Sequence, residues 1–160
     1  MESANYEVLV LFSEINSFYR AEYNEILNSL WQASERGVMV KVLIQADDGN
    51  NNYQLKEDIQ KRIRQKHLPI NIQYITKSLQ NKITTLVIDQ AVSLAIEVNE
   101  SNNDFKKTFD ESRAATAAVA IFSNNESTVS SCISIFETLW IQSEFEKKGK
   151  TSIFSNVQRT

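Results

Sequence analysis

A chain of 160 residues, 42% hydrophobic and 23% charged, has the composition of one ordinary globular domain with room for a core. Its formal charge of −3 and pI near 5.3 lack the basic footprint of a nucleic-acid binder, and no apolar run reaches the roughly 18 residues of a membrane span. One cysteine excludes an internal disulfide framework and fits a reducing cytoplasm, and three glycines are too few for a phosphate loop or a dinucleotide fingerprint.

In chain order, Glu7 to Phe12 is a short continuous apolar run, as expected of a strand covered on both faces. Ile15, Phe18, Tyr23, Ile26, Leu27 and Leu30 recur at spacings of three and four, which predicts a helix from Glu14 to Arg36. Gly37 supplies its stop, because glycine accepts the left-handed conformation used at helix ends. Val38 to Ile44 reads as a second buried strand, parallel to the first through a right-handed crossover. After the polar turn around Asp47, Asp48 and Gly49, Leu55, Ile59 and Ile63 make the narrow stripe of a second helix, surrounded by solvated charges. Pro69 ends it, with His67 as a favourable C-terminal side chain, and Ile70 to Ile75 follows as a strand.

Thr84 to Asp89 and Val92 to Val98 flank Gln90-Ala91 as a hairpin. Phe105 and Phe109, four apart in the polar stretch 99–112, suggest a covering helix or lid. Ala114 to Phe122 is small and apolar and reads as a central strand. Ser123-Asn124-Asn125-Glu126 fits a capping box opening a last helix, whose apolar face is Val129, Cys132, Ile133, Phe136, Leu139 and Trp140. The periodicity is lost after Gly149. The fold class expected is α/β, a mixed β-sheet flanked by helices in the order β-α-β-α-β-β-β-α, with a domain at 1–148 and a tail or linker at 149–160.

The stretch Lys82-Ile83-Thr84-Thr85-Leu86-Val87-Ile88-Asp89 resembles the phospholipase D-like motif, in which a His, a Lys two residues on and an Asp five further end a strand. Lys82 stands in place of the His and Thr84 in place of the Lys; only Asp89 matches. Arg36 to Leu43, Thr85 to Ile96, and Ile121 to Thr128 with Ser134 to Trp140 resemble other parts of a phospholipase D-like half fold. Lys82-Ile83-Thr84, Phe122-Ser123-Asn124, Ser127-Thr128-Val129 and Ser134-Ile135-Phe136-Glu137-Thr138-Leu139-Trp140-Ile141-Gln142 together resemble the N-terminal sensor domain of archaeal sensor histidine kinases.

The resemblance implies a signal-transduction input domain, and the substitutions imply no catalysis by this domain. A protonated ammonium, titrating near about 10.4, has no lone pair with which to replace the attacking imidazole. Thr84 brings no positive charge to a transferring phosphate. The expected partners are a second copy, an unknown small ligand and a kinase region of the same polypeptide, with no nucleic acid, membrane, metal or cofactor. Alternatives from other classes are a sugar- or anion-binding module of a transcription regulator and a residual phosphodiesterase.

Candidate ligand-binding residues are Ser13 and Asp47 after the first two strands, Lys82 and Asp89 of the motif, and Ser123, Asn124, Asn125 and Ser127 at a helix N-terminus, where free amides suit an anion. Each has a plainer structural role beside the functional one. Asp89 could cap its turn, Ser123 and one Asn could cap the helix, and seven-residue parity sets Lys82 and Asp89 on opposite faces of one strand. Ser127, Ser131, Ser134 and Thr138 form a hydroxyl stripe, read as solvent face or as homodimer contact. Trp31 and Trp140 are read as core or interface anchors, and Cys132 as a buried, inert thiol.

Overall fold

The computed structural model describes residues 4–15, 17–18, 26–46, 56–57, 59–61, 70–76, 83–99 and 117–157. Asp47, Lys82, the stretch 99–112 apart from Asn99 and most of the second predicted helix lie outside them. The elements are β1 (Glu7–Phe12), α1 (Ile26–Glu35), β2 (Met39–Ala46), β3 (Asn71–Thr76), β4 (Ile83–Ile88), β5 (Val92–Asn99), β6 (Ala117–Ser123) and α2 (Glu126–Val157). The residues at 56–57 and 59–61 are also helical.

Six strands form one mixed sheet in the order β3-β2-β1-β4-β5-β6. That is one strand more than the predicted element order holds. β3, β2 and β1 run parallel, whereas β4, β5 and β6 each run antiparallel to the neighbour before them. The small, apolar segment Ala114 to Phe122 was expected to be a central strand, yet β6 lies at one end of the sheet, and among the described residues its one strand partner is β5. An apolar strand reads the same whether covered by neighbours in the sheet or by something beyond it.

Strand alternation divides the apolar residues between two cores. Val8, Val10 and Phe12 of β1 and Val40, Val42 and Ile44 of β2 pack with Leu30 and Ala33 of α1. Leu9, Leu11, Leu43 and Val87 point to the other face and pack with Val129, Phe136 and Leu139 of α2. Both faces of β1 are covered, which is why its sequence is a continuous apolar run.

The end of α1 follows from Gly37. At φ 88° it lets Val38 N–H reach the Ala33 carbonyl at 3.1 Å and its own N–H reach the Ser34 carbonyl at 3.0 Å, the paired bonds of a Schellman motif. At the other helix, Asn125 is the cap: its Oδ1 accepts from Thr128 N–H at 3.1 Å. The predicted box from Ser123 to Glu126 does not form, because Glu126 is the first helical residue and cannot reach back as the third. α2 then continues through Gly149 to Val157, so no break in the helix marks the boundary at 148/149.

Candidate functional site

Sheet direction separates the predicted site residues into two groups. β1, β2 and β3 end together at one edge, and β4, antiparallel to β1, begins there; Leu11 lies opposite Thr85. Ser13, the residue after β1, is at this edge. The chain reverses at each of the next two strand pairings. Val8 lies opposite Ile88 and Ser93 opposite Ser123, so Asp89 and the segment from Ser123 to Ser127 belong to the opposite edge. Six residues of strand, roughly 20 Å, separate these edges. Ser13 and the Ser123 group therefore do not share the single crevice expected of them, while Asp47, expected in that crevice, and Lys82, weighed as a partner of Asp89, lie outside the described residues.

Asp89 is a structural fastener. Its N–H donates to the Glu7 carbonyl at 2.8 Å, while its carboxylate accepts from Asn5, Tyr6 and Glu7 N–H at 2.9, 2.8 and 2.9 Å. One side chain thus satisfies three successive donors where the chain begins β1. Asp89 and Gln90 have φ of 51° and 56°, and Ala91 N–H bonds the Ile88 carbonyl at 3.0 Å. Two central residues at positive φ are the signature of a type I′ hairpin turn, which Asp tolerates better than most residues. The turn is therefore centred on Asp89-Gln90, one residue earlier than Gln90-Ala91. Desolvation pushes the Asp89 pKa upward, but the N–H groups of Glu7, Asn5 and Tyr6 together outweigh it and hold the carboxyl below its ordinary 3.8.

At the same edge, Ser123 Oγ accepts from Asn125 N–H at 3.2 Å, a local turn bond in place of the helix cap expected of it, and Asn125 caps α2, the role weighed for one Asn. Asn124 and Ser127 are exposed, and Ser127 shares an open, shallow surface with Glu126, Ser130, Ser131 and Ser134. Glu126 already places a carboxylate at this helix N-terminus, which opposes a second anion. Along the stripe, Ser131, Ser134 and Thr138 hydroxyls donate to the carbonyls of Ser127, Ser130 and Ser134 at 2.8, 2.9 and 2.7 Å. Their donors are spent inside the helix.

The edge where β1 ends has a different character. Ser13 Oγ lies 3.4 Å from Ser17 Oγ and 3.3 Å from Thr84 Oγ1, and Ser13 N–H lies 3.4 Å from the same Thr84 oxygen. Ser13 and Ser17 are buried. These separations exceed the about 2.7–2.8 Å of strong hydroxyl hydrogen bonds, so the cluster is loosely bonded and can turn its hydroxyls to another polar group. It lies where the parallel and antiparallel halves of the sheet meet at the strand ends, a favoured place for ligands. Ser13 has hydroxyls, not a base, beside its oxygen, so among the described residues nothing there activates it as a nucleophile.

Ser17 and Thr84 were missed as partners of Ser13. The i, i+4 spacing of Ser13 and Ser17 was a usable signal; the approach of Thr84, 71 residues away, was not. Gln45, buried on β2 with both amide atoms lacking hydrogen-bond partners, was missed as well. Among the described residues no group of three or more His, Cys, Asp or Glu is placed to hold a metal, and no helix is long and apolar enough to cross a membrane. Thr84→Val is expected to cost about 1 kcal/mol, since it removes the acceptor of Ser13 N–H while keeping shape. Thermal denaturation beside Thr85→Val measures that cost.

A second concavity, of ≈ 180 Å³, lies between α2 and the sheet, lined by Ile83, Thr85, Ala95, Cys132, Ile135 and Phe136 together with Leu9, Leu11 and Val87. Cys132 is half-buried on its wall and not sealed in the core. Trp140 is the anchor expected: it stacks on Phe136 at 5.6 Å and takes Lys41 Nζ over its ring at 5.8 Å.

No protein-family model matches this chain, and no curated protein matches it.

Proposed function

We propose that this is a non-catalytic sensory or regulatory domain, cytoplasmic and paired with a second copy, that serves as input to a two-component histidine kinase and signals through α2. The single observation that carries this reading is the length of α2. Its 32 residues span about 48 Å, whereas the six- to eight-residue strands it crosses are about 20–26 Å long. Ser143 bonds Gln73, and Glu146 Oε2 accepts from Thr76 N–H at 3.2 Å and Thr76 Oγ1 at 3.0 Å. Helix continues for eleven residues past this clamp, to Val157. A rigid rod held at one end on the sheet converts a small shift there into displacement at the other.

A polar small ligand at the Ser13–Ser17–Thr84 edge would bias two arrangements of that rod. The resemblance to a phospholipase D-like half fold supports the same reading, with Thr84, a hydroxyl of the cluster, standing where that motif has its Lys. In the parent polypeptide, Glu146→Ala is expected to change autophosphorylation from radiolabelled ATP severalfold, because it releases the clamp. An unchanged rate, or no phosphate incorporation by the parent polypeptide, contradicts the proposal.

The phosphodiesterase alternative has a separate test. Purified domain is expected to leave bis(p-nitrophenyl) phosphate at the buffer rate. Turnover that Thr84→Ala abolishes would establish that activity instead.

A further inference from the structure

Among the described residues, no strand pairs with the outer edge of β6. Its seven residues, Ala117-Ala118-Val119-Ala120-Ile121-Phe122-Ser123, contain no charge, proline or glycine, the devices that usually protect an outer strand from pairing with another chain. Val119, Ile121 and Phe122 are 51%, 62% and 65% exposed. These are large side chains on both faces of the strand, left facing solvent beside a row of backbone groups that β5 does not use.

The surroundings on one face extend the patch. Ile121 lies opposite Ala95 and Val119 opposite Glu97, which places both on the α2 side of the sheet. Ile135, 51% exposed on the flank of α2, and Ile83, 37% exposed at the start of β4, border the apolar groove floored by Ala95. The helix covers the sheet only part-way, and the β5–β6 margin is where its cover ends.

We infer that β6 pairs antiparallel with β6 of a second copy, joining two six-stranded sheets into one of twelve strands. A strand edge is completed by another strand, since only that supplies donors and acceptors in register. The sequence is self-complementary about a two-fold axis through Ala120. There Ala120 meets itself and Val119 meets Ile121, with no like charges brought opposite although each chain carries −3 overall. The axis stands perpendicular to the sheet, so both α2 helices lie on the same side, their Ile135 flanks turned toward each other across a merged groove.

This deepens the pairing in the proposed function by naming its surface, and replaces the hydroxyl stripe of α2 as the contact. Oligomeric state is measured without ATP, so the pairing can fail while the kinase reading stands, and the reverse. Sedimentation velocity is expected to show a dimer at about 100 µM, where a Kd near 10 µM leaves most chains paired. Ile121→Lys, an exposed position, is expected to weaken the dimer by at least about tenfold, and Phe145→Lys to leave it intact.

Ala120→Cys in a Cys132→Ser background gives an independent readout. Paired antiparallel residues sit about 4.5–5.5 Å apart at Cα, within disulfide range, so oxidation is expected to give covalent dimer. Thr138→Cys in the same background is expected not to cross-link. A monomeric parent, a dimer indifferent to Ile121→Lys, or cross-linking through Thr138→Cys with none through Ala120→Cys overturns the inference.

Discussion

Asp89→Ala is expected to lower the stability of this domain by about 2–4 kcal/mol, more than its half-buried turn position suggests. Three N–H groups at Asn5, Tyr6 and Glu7 lose a charged acceptor at once, and hydrogen bonds to charged groups are worth roughly 1.5–3 kcal/mol where shielded and less where wet. Alanine at φ 51° adds about 1 kcal/mol of backbone strain. Asp89→Asn keeps the tolerance for positive φ and one acceptor oxygen, so about half the loss is expected. Urea denaturation at neutral pH compares the three proteins, and equal midpoints would show that the fastening is ornamental.

The same carboxylate predicts a dependence on pH. Its folded pKa is lowered below the unfolded 3.8, so the stability it contributes is complete above that value and is lost as pH falls through the folded pKa. The gap between parent and Asp89→Asn is therefore expected to be constant from neutral pH to about pH 5 and to shrink at lower pH. A gap that widens in acid has the wrong sign for this mechanism.

Phe136→Ala is expected to cost about 3–5 kcal/mol and to loosen α2 from the sheet. Phe136 is buried among Leu9, Leu11, Val87 and Leu139 and stacks on Trp140, so its removal leaves a cavity and unseats the tryptophan. Phe145, nine residues along the same helix, is 67% exposed, and Phe145→Ala is expected to change stability by less than about 0.5 kcal/mol. Hydrogen exchange locates the effect. Protection is expected to fall first in α2 and to persist longer in β1 and β2, which α1 covers from the other face. Equal costs for the two phenylalanines would mean that the helix does not seat as described.

Much of the architecture could be read from local pattern. The apolar run at Glu7 to Phe12, the Gly37 stop and the two strands flanking Asp89 all express preferences held within a few residues. The apolar face of the last helix was legible for the same reason: Val129, Phe136 and Leu139 repeat at the helical period. That Asp89 ends its strand was legible too, but the role expected of it was to cap its own turn, whereas its carboxylate binds Asn5, Tyr6 and Glu7, which only the pairing of β1 with β4 brings to it.

The site was less so. Ser13 was found and Thr84 was not recognised as its partner, because a 71-residue separation is closed only by β1 pairing with β4. Ser123 and Asn125 were expected in the same crevice as Ser13, although three successive antiparallel pairings, β1 with β4, β4 with β5 and β5 with β6, carry them to the far edge. Asn125 became the helix cap through a two-residue difference in where the helix starts.

Periodicity, breaker residues and composition specify which segments become strands and helices and which of their faces are apolar, since those are short-range properties of the chain. Whether an apolar strand is central or outermost, and at which edge of the sheet a residue arrives, depends on strand order and direction. β6 and the two separated polar clusters are therefore products of tertiary pairing: hydrogen-bonded neighbours decide them, and no window of sequence contains those neighbours.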